Sequence, residues 1–169
     1  MEARDVLERI DLFKQVLTAR QLDDLAAKSR IVEMPEGMVL MAEGDFGSSM
    51  FAIISGALDV TVAGARHGSR AVAHLGPGDI VGEMSLMTGA RRTATVVSAE
   101  PTRVLEITKV ALEGLITRAP DLLDQLGVVL AQRRAELDRI ADDEHATRVL
   151  GVRTDEIIHA MRRFFSRAG

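Results

Sequence analysis

The sequence predicts a mainly β fold: a roll, or jelly-roll-like barrel, of about eight short strands with helices at both ends. Three observations predict it. Between residues 29 and 108 short apolar stretches alternate with glycine turns at Gly37, Gly44, Gly47, Gly56, Gly64, Gly68, Gly76 and Gly78, so extended segments recur every ~8–12 residues. Outside that region the apolar residues recur instead at spacings of three and four, the period of an amphipathic helix. At 169 residues the chain is one domain, with room for an appended element, and can bury an ordinary core without disulfides or metal.

Residues 4–27 read as helical. Val6, Leu7, Ile10, Phe13, Val16 and Leu17 form one apolar stripe, and Thr18 is placed to cap a second short helix carrying Leu22, Leu25 and Ala26. Strands are predicted at 29–34, 38–42, 49–55, 57–63, 69–75, 79–81, 93–99 and 102–108, with one helical turn at 83–88 interrupting them. From Lys109 a short helix ends before Pro120. A longer one runs from about 120 to 142, with Leu122, Leu123, Leu126, Val129, Leu130, Leu137 and Ile140 on one side. Asp142-Asp143-Glu144 with His145 is the best linker. After it, 147–168 is amphipathic, with Ile157, Met161, Phe164 and Phe165 together and Arg162, Arg163 and Arg167 around them. The chain thus divides into helices over 1–28, strands over 29–108, helices over 109–142 and a basic tail over 147–169.

Composition excludes several function classes. Hydrophobic residues make up 47% but aromatics only 3%, with Trp and Tyr absent, so Leu, Val, Ile and Ala build the interior and Met38, Met41 and Met50 fill it. With no cysteine there is no disulfide framework and no thiolate metal site, which fits a reducing compartment. No uncharged apolar run reaches the ~18 residues of a bilayer span, and no secretory signal precedes the first charged helix. A net charge of −4 argues against a nucleic-acid polymer as partner. His67, His74, His145 and His159 do not form the tight His-x-His set of a metal-dependent cupin. No Ser/His/Asp or paired-carboxylate arrangement is visible, so neither a metal site nor an enzyme is expected.

Chemistry concentrates between Gly82 and Val96. A glycine and a lone acid, Glu83, precede one apolar helical turn; a glycine, Arg91-Arg92 and the β-prone Thr93-Ala94-Thr95-Val96 follow. Helix-start amides and a guanidinium facing one point suit a compact anion such as phosphate. Glu83 beside it can accept hydrogen bonds from a sugar hydroxyl, and phosphate with ribose means a nucleotide.

Gly82-Glu83 and Arg92-Thr93-Ala94-Thr95-Val96, at this spacing, closely resemble the phosphate-binding cassette of the cyclic nucleotide-binding domain family. The resemblance runs from about Leu12 to about Arg134, through Pro35-Glu36-Gly37, Glu43-Gly44-Asp45, Met50-Phe51-Ala52-Ile53 and Gly56. The family has an aromatic at the position of Val81 and often proline at that of Arg91, mild departures that leave the ligand contacts in place. The resemblance implies that Arg92 pairs with the exocyclic phosphate oxygens and that Glu83 accepts from the ribose 2′-hydroxyl, a role compatible with its place at a helix start. Gly82 lets backbone approach the ligand or is an ordinary turn glycine, and the amides of Met84 and Ser85 donate to phosphate or ribose. Arg91 reads as exposed. Thr93 is either a strand threonine or a hydroxyl touching the phosphate and a guanine 2-amino group. Val62 is either an apolar wall for the base or barrel core. Arg133 either stacks over the purine, as an arginine does in some bacterial channel domains of the family, or faces solvent like Arg134. Leu126, Val129 and Leu130 close an apolar lid or simply pack.

The implied function is regulatory binding of cyclic AMP or cyclic GMP, cyclic AMP favoured, with the C-terminal helices closing over the base. The tail Arg162-Arg163-Phe164-Phe165 resembles the C-termini of bacterial cyclic nucleotide-gated channels related to small-conductance mechanosensitive channels. That implies a cytoplasmic domain of an inner-membrane protein, with a channel body as partner and a homo-oligomer formed through the C-terminal segment. The alternatives are a stand-alone regulatory protein, a kinase-type regulatory subunit, or a fragment of a catabolite-activator-type transcription factor. The last fits less well, since about 25 residues beyond Glu144 are too few for a packed three-helix DNA reader.

Overall fold

The computed structural model describes residues 2–64, 68–140 and 154–166. Eight strands are found there: β1 (Arg30–Met34), β2 (Val39–Met41), β3 (Ser49–Ser55), β4 (Leu58–Gly64), β5 (Gly68–Leu75), β6 (Ile80–Val81), β7 (Thr95–Ser98) and β8 (Thr102–Thr108). They form two antiparallel four-stranded sheets, ordered β1-β8-β3-β6 and β2-β7-β4-β5. The mainly β roll with helical flanks read from the glycine spacing is therefore the fold, and most strand ends fall within a residue of expectation.

The run Met50-Phe51-Ala52-Ile53 in β3 is apolar throughout because both faces of its sheet are covered. Phe51 and Ile53 point between the sheets with Met34, Leu58, Val96 and Val104, while Met50 and Ala52 point outward with Leu105 and Ile107 against the helices. That outer face carries α1 (Ala3–Glu8), α2 (Asp11–Lys14), α3 (Ala19–Lys28), α5 (Lys109–Arg118), α6 (Asp121–Ile140) and α7 (Thr154–Ser166); the remaining helix, α4 (Glu83–Thr88), lies between β6 and β7.

Thr18 caps α3 as predicted. Its Oγ1 accepts from the Gln21 amide at 3.2 Å and its own amide donates to Gln21 Oε1 at 2.9 Å, a reciprocal box. Thr108 caps α5 with a single bond, its Oγ1 accepting from the Ala111 amide at 3.2 Å.

Three expectations are corrected. The first N-terminal helix breaks at Arg9-Ile10, where amides bond i−3 carbonyls (Arg9 to Val6, Ile10 to Leu7). An unbroken helix would turn Leu12 away from Leu7; the break lets Leu7, Leu12 and Phe13 all reach full burial. Met38 is 43% exposed rather than core, because its amide and carbonyl pair with Ser98 at the sheet end and its side chain points out. The strand predicted at 93–99 begins at Thr95, where pairing with Thr61 of β4 starts. Thr93 and Ala94 form a bend because the backbone of Arg92 is engaged elsewhere, as described below.

No described helix is long and apolar enough to cross a membrane. The linker at 142–145, His67 and Arg167 lie outside the described residues, as do the side chains of Arg134, Leu137 and Ile140.

Candidate functional site

Arg92 is the organising side chain. Its amide donates to the Asp45 carbonyl and its carbonyl accepts from the Gly44 amide, both at 2.8 Å, so the 43–48 loop clamps its backbone. Its side chain runs inward past two glycines. A Cβ at Gly47 would collide with the guanidinium, and one at Gly82, where φ is +82°, would lie 2.6 Å from Nη1. Nη1 donates to the Ser49 carbonyl at 2.7 Å, and the guanidinium carbon lies 6.0 Å from the Phe51 ring centroid. Arg92 is 7% exposed, and burial pushes its pKa below the ordinary arginine value, opposed by the charge of Glu106. Among the described residues no carboxylate lies within ion-pair distance of it. A cation held dry and met by neutral oxygen is a ready anion site.

Gly82 turns the chain from β6 into α4 through its left-handed backbone, which places the Glu83, Met84 and Ser85 amides at the open end of the helix. The Leu86 amide is the first to bond back, to the Gly82 carbonyl at 3.1 Å. A cavity of ≈ 260 Å³ joins these groups: Gly82, Glu83, Met84, Ser85, Arg92, Thr93 and Arg133 all line it. One end is polar; the other is walled by Met41, Val60, Ala73, Leu75 and Val96 from the second sheet, a surface suited to a flat base. Of the residues named as ligand contacts, Val62 does not line the cavity; Val60, two residues earlier in β4, takes that wall, and Leu126, Val129 and Leu130 pack in the helix-side core instead of lining it. Thr93 is exposed at the rim, and Arg91 lies outside with its guanidinium 4.4 Å from the centroid of the exposed Phe46 ring.

Arg133 reaches down from α6. Its Nε lies 3.8 Å from Glu83 Oε1, too far for a hydrogen bond, and is buried with no hydrogen-bond partner. Glu83 is 12% exposed in its side chain. The two groups whose roles came from separate motifs thus face each other across the polar end as a loose ion pair. Sequence reasoning missed Gly47, Ser49 and Val60. Gly47 carried a signal, as the glycine two residues after Gly44-Asp45, but its partner is 45 residues away.

A second recess of ≈ 160 Å³, between α1 and the 76–79 turn, is lined by Val6, Ile10, Ala52, Ile53 and Pro77, with Arg9 its one charged side chain. It gathers no converging polar groups. Among the described residues no cluster of His, Cys, Asp or Glu could hold a metal ion.

The family profile described as "Cyclic nucleotide-binding domain" matches residues 31–119, and the chain belongs to that family. Among its relatives, the cyclic AMP receptor protein of Thermus thermophilus is 33% identical over 104 residues, covering 62% of this chain and 48% of that one. The cyclic nucleotide-gated potassium channel RHE_CH03180 of Rhizobium etli is 32% identical over 126 residues, covering 74% of this chain and 33% of the channel. The crystal structure of a cyclic nucleotide-binding domain from Methylobacillus flagellatus superposes with a TM-score of 0.66 at 26% identity, over 82% of this chain and 84% of that one. The chain spans between a third and a half of the length of the two curated relatives.

Proposed function

We propose that this chain reversibly binds a 3′,5′-cyclic purine nucleotide, cyclic AMP in preference, and passes the event to its C-terminal helices. The observation that carries the reading is Arg92: a buried, desolvated guanidinium beside helix-start amides and an acid, opening onto an apolar slot. Phosphate goes to Arg92 and the Met84 and Ser85 amides. The ribose 2′-hydroxyl goes between Glu83 and Arg133, donating to the carboxylate and accepting from the buried Nε. The base lies along Val60, Ala73, Leu75 and Val96 with Thr93 at its edge. In this pose Arg133 serves the sugar with its Nε and offers its guanidinium plane to the purine.

Binding at the polar end and contact from α6 together favour a closed arrangement, and the differential affinity for closed over open is what moves the equilibrium. The role is that of a sensor rather than a catalyst. For the whole protein we take channel gating as the working context, supported by the basic Phe-Phe tail and the Rhizobium etli relative. The relation to the Thermus thermophilus receptor protein favours, as second reading, a regulator outside the membrane. Calorimetric titration with cyclic AMP and cyclic GMP tests the ligand; a tenfold preference for cyclic GMP overturns the order and makes Thr93→Ala the next experiment. Membrane spans encoded in the same reading frame decide for the channel, and their absence decides for the second reading.

A further inference from the structure

The tail helix α7 does not stand free. Ile157, Met161 and Phe165 are buried in the same core as Leu86 and Met87 of α4 and Leu122, Leu126 and Leu130 of α6. Two glycines form its seat, one on each of the helices α4 and α6 that send side chains into the pocket from elsewhere along their length. Gly89 ends α4, and a Cβ there would stand 2.6 Å from Cδ1 of Phe164. Gly127 is in the middle of α6, where glycine is a poor helix residue and no turn requires it. A Cβ on it would stand 2.6 Å from Cγ1 of Ile158 and 3.3 Å from the Met161 sulfur. Arg162 Nη2 locks the pair of helices with bonds of 2.9 and 3.0 Å to the two oxygens of Asp124. Lys109, at the start of α5, lies with Nζ 4.2 Å from the Phe164 ring centroid and 5.8 Å from that of Phe165.

At 100° per residue, Arg133 continues the Leu126–Leu130 stripe of α6, while Gly127 lies about 120° and Asp124 about 180° around the helix from Arg133. The tail therefore grips α6 on the side turned away from Arg133, backing the helix that reaches the pocket, and grips α4 at the end opposite Glu83.

We propose that α7 is a positioning element for the nucleotide site: a clasp that holds the cassette helix α4 against the lid helix α6 and so sets how far the pocket opens. Phe164 acts through Gly89 on the cassette, and Ile158 and Arg162 act through Gly127 and Asp124 on the lid. The clasp is a statement about the fold; its effect on affinity rests on the nucleotide reading above.

The test is Gly127→Leu in the full chain. Leucine is the better helix former, so α6 itself is not weakened, but the side chain occupies the seat of Ile158. By hydrogen exchange without nucleotide, residues 154–166 should lose protection, and 83–89 and 121–133 should exchange about tenfold faster while 49–63 stay unchanged. Cyclic AMP should then bind about fivefold or more weakly. Should Gly127→Leu fail to fold, the pair Arg162→Ala with Phe164→Ala removes the grip from the tail side and leaves every residue of the roll intact. Loss of protection in 154–166 with wild-type rates in 83–89 and 121–133 overturns the clasp, as does a wild-type tail with no protection to lose. If exchange changes as expected but the wild type binds neither cyclic nucleotide, the clasp stands and the ligand reading falls.

Discussion

Arg92→Ala separates the cost of burying a charge from the benefit of receiving an anion. In the protein alone the guanidinium makes one 2.7 Å bond, to the Ser49 carbonyl, and is 7% exposed. Losing a hydrogen bond from a charged donor costs ~1.5–3 kcal/mol. Removing a desolvated cation returns a penalty of comparable size, on the order of several kcal/mol before relaxation. The two offset, so the ligand-free melting temperature should move by no more than about 4 °C, the equivalent of ~1 kcal/mol for a chain of this size. Binding has no such offset, because phosphate would enter a dry site without its cation. The amides of Met84 and Ser85 remain as donors, which places the loss at ~2–4 kcal/mol, in the lower part of the range for truncating a buried charge pair. That is roughly 30- to 900-fold in Kd. Calorimetry with cyclic AMP on wild type and Arg92→Ala reads it directly, with Arg91→Ala as control. Arg91 is exposed on Phe46 and lines no part of the cavity, so its loss should change Kd less than about threefold. An Arg92→Ala protein with near-wild-type affinity would falsify the assignment of the phosphate site.

Glu83→Ala should weaken cyclic AMP binding by less than Arg92→Ala, on the order of 1.5–3 kcal/mol, since one hydroxyl contact to a carboxylate goes and the phosphate is untouched. A loss larger than that of Arg92→Ala would reverse the two roles. Saturating nucleotide should raise hydrogen-exchange protection most in 82–93 and 121–140 and little in 49–63; a uniform change over the chain speaks against a closing lid. Thr18→Ala removes one half of the α3 capping box and should cost ~1 kcal/mol in chemical denaturation, with no effect on nucleotide affinity. A shift in affinity there would mean that the N-terminal helices communicate with the pocket.

Much of this architecture is a matter of local sequence. A strand or helix is selected by the spacing of apolar residues within a window of a turn or two, and a cap by a side chain three residues from its amide. Hence the order of elements, the Thr18 box, the end of α5 before Pro120 and the Gly82–Val96 motif were all legible from neighbours alone. Arg92 and Glu83 were legible as partners in one pocket because they stand nine residues apart in one continuous motif.

Tertiary structure decided whatever depends on two distant segments meeting. Nothing near Arg9 announces the helix break, because its cause is the burial of Leu12 beneath elements contributed by the rest of the chain. The bend at Thr93 follows from Arg92 pairing with the 44–45 backbone, some 47 residues away. Val60 rather than Val62 lines the pocket although β-alternation alone puts both valines on one face; the β4–β5 register shifts between Val60 and Thr61, an irregularity that nothing local in β4 announces. The meeting of Arg133 with Glu83, and of Phe164 with Gly89, joins residues 50 and 75 positions apart in sequence. Amphipathic periodicity states that the α7 stripe must be covered but not by what. The sequence by itself determined which residues form the polar end of the pocket; the packing of α6 and α7 determined which of them face one another, because contact at that range is set by the whole fold and not by any window of it.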